Sequence, residues 1–163
     1  MLGSKKYKYY LGIDPDVEKS GYAIIENKGA IIQLGTKPFF ELIELMDNHY
    51  CISDCLVVIE AGWLNEITNY HTATGKGGQR IALNVGRNQQ VGILLVEYCK
   101  NKGLNVVEAR PFKKGWKGPQ GKITHEELSY FTGITKKTNQ EARDAVLLAW
   151  NYAGLPIKIK VGK

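Results

Sequence analysis

Two acidic residues stand where acids are unusual. Asp14 directly follows Leu11-Gly12-Ile13, and Glu60 directly follows Leu56-Val57-Val58-Ile59, so each ends an apolar run of the buried-strand type. Parallel neighbouring strands run about 4.8 Å apart, and their carboxyl-terminal side chains converge at the crevice where open α/β sheets bind ligands. Two carboxylates placed there repel one another, and a divalent cation relieves that repulsion directly. Taken singly, Asp14 also reads as an Asp-Pro turn residue and Glu60 as a strand-end acid facing water; their coincidence favours a shared site. A second pair, Glu141 and Asp144, is three residues apart, which on a helix means one face, one turn apart, with Ala145 and Leu148 beside them. Thr138-x-x-Glu141 is also a capping box, so capping and metal ligation both stand for Glu141, whereas Asp144 in the second turn has no capping role. Four carboxylates without paired His or Cys suit Mg²⁺ or Mn²⁺ rather than zinc. Two such ions bridging a phosphodiester stabilise the attacking and the leaving oxygen together.

Charge points to the same chemistry. The chain carries 22 Lys and Arg against 16 Asp and Glu, net +6, and the stretch 110–137 holds seven of the cations and two of the acids. Within 110–122 there are five cations and no acid, with Phe112 and Trp116 interleaved. A solvated face is the plain reading of such a run; the clustering and the aromatics favour a polyanion, most simply nucleic acid. Trp63, Asn65, Tyr70 and His71, with Lys76 and Arg80, offer further stacking surfaces and phosphate contacts. For His71, a lone histidine, a solvated position is the better expectation; for Trp63, beside Glu60, stacking is preferred over burial.

These residues need elements to hold them. Apolar runs at 7–13, 21–26 and 30–34 around Asp14-Pro15-Asp16 predict an antiparallel meander, 39–50 a helix, and 55–59 a buried strand reached by crossover. The stretch 61–80, with four glycines and no period, predicts a long loop. A long amphipathic helix is expected over 80–102 with Ile81, Val85, Asn88, Gly92, Leu95, Val96 and Cys99 inward, then a strand at 106–109. Thr124-x-x-Glu127 opens a short helix that Gly133 ends, and a last helix spans 140–153. The order gives an α/β fold, a five-stranded mixed sheet flanked by helices, in one domain over 1–163. Cys51, Cys55 and Cys99 are odd in number and lack CxxC spacing, so they read as core residues. No window approaches the roughly 18 to 20 apolar residues of a membrane span, and residues 1–8 lack a signal-peptide core; a cytoplasmic protein without a membrane partner is expected.

The runs Gly12-Ile13-Asp14-Pro15 with Ser20-Gly21-Tyr22-Ala23, Val58-Ile59-Glu60, and Glu141-Ala142-Arg143-Asp144-Ala145 resemble the RuvC Holliday junction resolvases of the RNase H-like superfamily. The likeness runs from about residue 7 to 153. It implies an RNase H-like fold and a Mg²⁺-dependent endonuclease acting on four-way DNA junctions, with Asp14, Glu60, Glu141 and Asp144 holding two ions. It further implies that Trp63 packs against bases at the junction. A catalytic lysine is implied among Lys113, Lys114, Lys117 and Lys122, Lys114 being the expected one, and Arg110, Lys113, Lys117 and Lys122 are expected DNA contacts. Asp16 stands where the family usually has Gly, and Gly115, Gly118 and Gly121 enrich the basic segment, features that suggest a divergent member of phage type. Junction resolution takes two symmetric nicks, so a homodimer is expected, with the helix over 80–102 and its Gly86 and Gly92 as interface.

Other function classes are a sugar-kinase-like nucleotide-binding module, a non-catalytic branched-DNA-binding protein, and an RNase H-like nuclease on broader branched or RNA-containing substrates. The first needs two such domains and a second phosphate-binding glycine motif. An assay for Mg²⁺-dependent nicking separates the second, and an RNA-containing substrate the third.

Overall fold

A computed structural model describes residues 6–48, 51, 53–65 and 75–161. Three strands, β1 (Tyr9–Asp14), β2 (Ser20–Glu26) and β3 (Ile31–Lys37), form the meander, α1 (Phe39–Met46) crosses over, and β4 (Cys55–Glu60) follows. After a 3₁₀ turn at Gly62–Leu64 come α2 (Gly75–Lys102), β5 (Asn105–Ala109), a second 3₁₀ turn at Pro119–Gly121, α3 (His125–Thr132) and α4 (Gln140–Tyr152). The sheet order is β3-β2-β1-β4-β5. The β1/β2 and β2/β3 pairs are antiparallel, and β1/β4 and β4/β5 are parallel. Mixed pairing follows from the connections: short turns join the meander, and helices make the crossovers. The RNase H-like α/β architecture expected from the sequence is therefore present.

Alternation along the strands sorts the sheet into two faces. Leu11, Ile13, Ile24, Val57 and Ile59 pack with Leu42 and Met46 of α1 and Leu95, Val96 and Cys99 of α2. The opposite face packs on α4, where Ala23 meets Ala145 and Val146, Tyr10 and Ile25 meet Ala149 and Trp150, and Val58 meets Leu148. Two glycines set how closely α4 lies on the sheet. A Cβ at Gly12 would stand 2.1 Å from the Ala145 carbonyl oxygen, and one at Gly21 2.1 Å from that of Glu141. Backbone meets backbone there, and only glycine permits it. All three cysteines are free and buried in the α1/α2 face; burial and the neighbouring Cys51 push the Cys99 thiol up to about 12, and the Cys55 thiol is raised by a hydrogen bond with the Cys51 thiol and by burial.

Several expectations change. The stretch 61–80 is not one loop: Gly62–Leu64 is a 3₁₀ turn and α2 already begins at Gly75. Helical glycine costs about 1 kcal/mol relative to alanine, a penalty rather than a prohibition. The inward stripe of α2 holds only toward its C-terminal end, at Gly92, Leu95, Val96 and Cys99, and Ile81 is 51% exposed. Gly92 does not face outward for a partner, because a Cβ there would stand 2.5 Å from the Trp63 ring. Among the described residues no helix is long and apolar enough to cross a membrane.

Candidate active site

Asp14 and Glu60 end β1 and β4 one step beyond the Ile13–Ile59 pair of the parallel ladder. They share the parity of Gly12 and Val58, so they emerge on the α4 face. There α4 brings in Asp144, and the three line one crevice of about 210 Å³ with Lys113, Lys114 and Lys122. Desolvation raises the Asp14 carboxyl well above its usual range, and Glu60, Asp144 and Glu141 push the same way, against Lys122. Glu60 is raised by desolvation and by Asp144, with Lys122 and Lys114 opposing. Asp144 is raised by desolvation despite the bond from Gln140 and the charge of Lys122. Asp144 pairs with Lys122, Nζ to Oδ2 at 3.7 Å. A cluster of acids that stays raised despite Lys122, Lys114, Arg143 and the Gln140 bond is one a hard divalent cation would neutralise, so the chemistry of the residues fits the ion. Among the described residues no three side chains of ligand-forming type are gathered at coordination spacing.

Glu141 is exposed in the first turn of α4 and adds to the negative field at Asp14. Its capping-box reading is corrected. The N-cap is Asn139, whose Oδ1 accepts from the Ala142 N–H at 2.9 Å, while the Thr138 hydroxyl partners His125 Nδ1 at 2.9 Å. The cap falls one residue later than Thr138, and that shift of register moves Glu141 out of the box position.

The basic segment is a folded loop. Trp116 N–H donates to the Gly121 carbonyl and Gly118 N–H to that of Lys122. A Cβ at Gly121, where φ is +74°, would stand 2.8 Å from the Lys114 Cβ. The Glu127 carboxylate accepts from the Lys117 and Thr124 backbone N–H groups at 3.0 Å each, so the cap of α3 also anchors this loop. Gln140 Nε2 donates to Asp144 Oδ1 at 2.8 Å and to the Ile123 carbonyl at 3.2 Å, and Arg143 Nε donates to the same carbonyl at 3.0 Å. These residues, not singled out from sequence, fix the loop against α4. Gln140 had a signal, four residues before Asp144 on the same face.

On the other side of Asp14 and Glu60 lies a second hollow of about 190 Å³ with Trp63, Asn88 and Gln89 in its wall. Trp63 is half-buried; its ring lies against Gly92, which Pro15 also approaches, and its Nε1–H donates to Glu108 at 3.1 Å. Asn88 accepts from the Val17 N–H at 2.8 Å and so holds the turn after β1. Asp16 accepts from the Glu18 N–H at 2.8 Å within that turn, which accounts for an acid at the place of a glycine. Arg110 is exposed and donates to the Leu64 carbonyl at 2.9 Å. Lys76 and Arg80 are exposed on the first turns of α2, and Lys113, Lys114 and Lys117 on the basic loop. Tyr70 and His71 lie outside the described residues.

No protein-family model matches the chain, and no curated protein sequence matches it. Solved structures do. A Thermus thermophilus RuvC structure in complex with Holliday junction substrate matches over 90% of this chain and 93% of that one, with TM-score 0.57 and 16% identity. A second T. thermophilus RuvC structure matches over 90% and 96%, with TM-score 0.52 and 16% identity. The chain has a RuvC-like fold.

Proposed function

We propose that this protein is a metal-dependent endonuclease that nicks branched DNA, four-way junctions included. The observation that carries the reading is the convergence of Asp14, Glu60 and Asp144, all desolvated and mutually repelling, in a crevice walled by lysines. The similar T. thermophilus RuvC was solved on a Holliday junction substrate, which supports the choice of substrate. Asp14, Glu60, Glu141 and Asp144 would hold two Mg²⁺ or Mn²⁺ ions, which supply charge stabilisation at the attacking and leaving oxygens of phosphodiester hydrolysis. Lys122 is paired with Asp144, and exposed Lys114, whose charge already acts on Glu60, would face the scissile phosphate and offset charge as it develops. Lys113, Lys117 and Arg110 on one flank, and Trp63, Lys76 and Arg80 on the other, would follow the strands leaving the cut; Tyr70 belongs to the same set. Symmetric nicking asks for a two-fold homodimer, and Leu83 and Leu94, 54% and 42% exposed and three turns apart on α2, offer it two apolar anchors on a face that also carries exposed Arg87 and Gln90.

The test is incubation with synthetic four-way, three-way and linear duplex DNA in Mg²⁺ or in Ca²⁺, with the nicks mapped. Paired nicks near the branch point in Mg²⁺, absent from linear duplex, are the expected result. Binding without any cut in Mg²⁺ or Mn²⁺ would make the protein a binder only, and cuts confined to RNA-containing strands would move the substrate.

A further inference from the structure

The stretch 155–161, Leu-Pro-Ile-Lys-Ile-Lys-Val, follows α4 and alternates apolar and cationic residues in the manner of a strand, yet it joins no sheet. It is tied at its start: Leu155 N–H donates to the Trp150 carbonyl, and Trp150 Nε1–H donates to the Pro156 carbonyl at 3.0 Å. From there it runs beside the basic loop. Ile157 lines a hollow of about 270 Å³ with Phe112, Lys113, Trp116 and Leu147, residues that also wall the acidic crevice. Lys160 lines another of about 540 Å³ with Lys117 and the start of α3. Lys158 and Lys160 are exposed, and neither makes an ion pair among the described residues. Of the acids in the second hollow, Glu127 is already committed to the backbone of Lys117 and Thr124, which leaves Glu126.

We infer that 155–161 is a second DNA-binding element, whose Lys158 and Lys160 neutralise backbone phosphates of the duplex arm that passes over Lys113 and Lys117. This rests on the nuclease reading and extends its DNA surface beyond the basic loop. Two cationic segments held side by side repel, and a polyanion laid across both relieves the repulsion and releases its own counterions. The contact is electrostatic, to backbone phosphate, the commonest partner of exposed cationic side chains on DNA.

Binding of the full chain to a synthetic four-way junction and to a linear duplex is measured in Ca²⁺ across a salt series. For Lys158→Ala/Lys160→Ala the slope of log affinity against log salt should shrink by about 0.9 per lost phosphate contact, roughly 1.8 in all, on both DNAs. Lys158→Arg/Lys160→Arg should keep it. Lys100→Ala/Lys102→Ala, at the far end of α2, removes the same charge and should leave the slope alone. An unchanged slope in the first variant, or an equal fall in the α2 control, overturns the inference. Absence of DNA binding by the unaltered protein would instead sink the nuclease reading.

Discussion

At the residue scale the acids in the crevice decide most. Asp14, Glu60 and Asp144 all have carboxyls raised in the folded state, so folding binds protons more tightly than the unfolded chain does. The stability this brings is fully present below the ordinary carboxylate range and is lost as pH rises through the raised values. The metal-free protein should therefore melt higher on mild acidification from about pH 7 towards about pH 5, and Asp14→Asn should melt higher at neutral pH and gain less from acid. Thermal melts in a chelator read both effects. The same variant should lose at least ~100-fold in nicking rate, while junction binding holds. Glu141 gives a second contrast. Since Asn139 caps α4, Glu141→Gln and Glu141→Ala should both stay within about 0.5 kcal/mol of the parent in denaturant titrations, and both should lose cleavage. Asn139→Ala should cost about 0.5–2 kcal/mol instead. Normal cleavage by Glu141→Ala would remove Glu141 from the ligand set.

At the scale of elements, the site depends on how α4 seats against β1 and β2. Gly21→Ala would drive a methyl into the Glu141 carbonyl, and the helix that carries Glu141 and Asp144 must then move. A loss of about 1–3 kcal/mol is expected, with cleavage falling far more than the folded fraction does. Gly86→Ala, where the added Cβ meets nothing within 4 Å, should be neutral or stabilising by up to about 1 kcal/mol. A common denaturant series with single-turnover cleavage tests the pair. The sheet and the helices were readable because strand alternation, Pro38, the Thr124 capping box and Gly133 are local signals. Asp14, Glu60 and Asp144 could be brought together on paper because strand ends and helix turns fix position along an element. What stayed hidden depends on contacts across elements. Gly12 and Gly21 look like strand residues until α4 lies on them, and Gly92 looks free until Trp63 covers it. That Arg110 also donates to the Leu64 carbonyl is equally invisible in the sequence.

At the scale of the molecule, the acidic edge separates a basic hollow from one walled by Trp63, Asn88 and Gln89, so a branch point seated there would send its arms two ways. A dimer through α2 would then put two such edges in one assembly. Leu83→Glu/Leu94→Glu should turn a dimer into folded monomers by sedimentation, with nicks becoming single and unpaired. A parent that sediments as a monomer on its own and on DNA would rule that interface out.

The three thiols in the α1/α2 face make the protein silent to surface thiol chemistry. Each is buried, and the Cys55 and Cys99 thiols are held protonated far above neutral pH, so the thiolate that attacks a maleimide or a disulfide reagent is scarcely formed. Folded protein should react with such a reagent only on unfolding, which turns the reaction into a clock for global opening. One cysteine introduced on the surface then becomes a unique address for a fluorophore, and the approach of a DNA arm can be followed by distance in the intact protein.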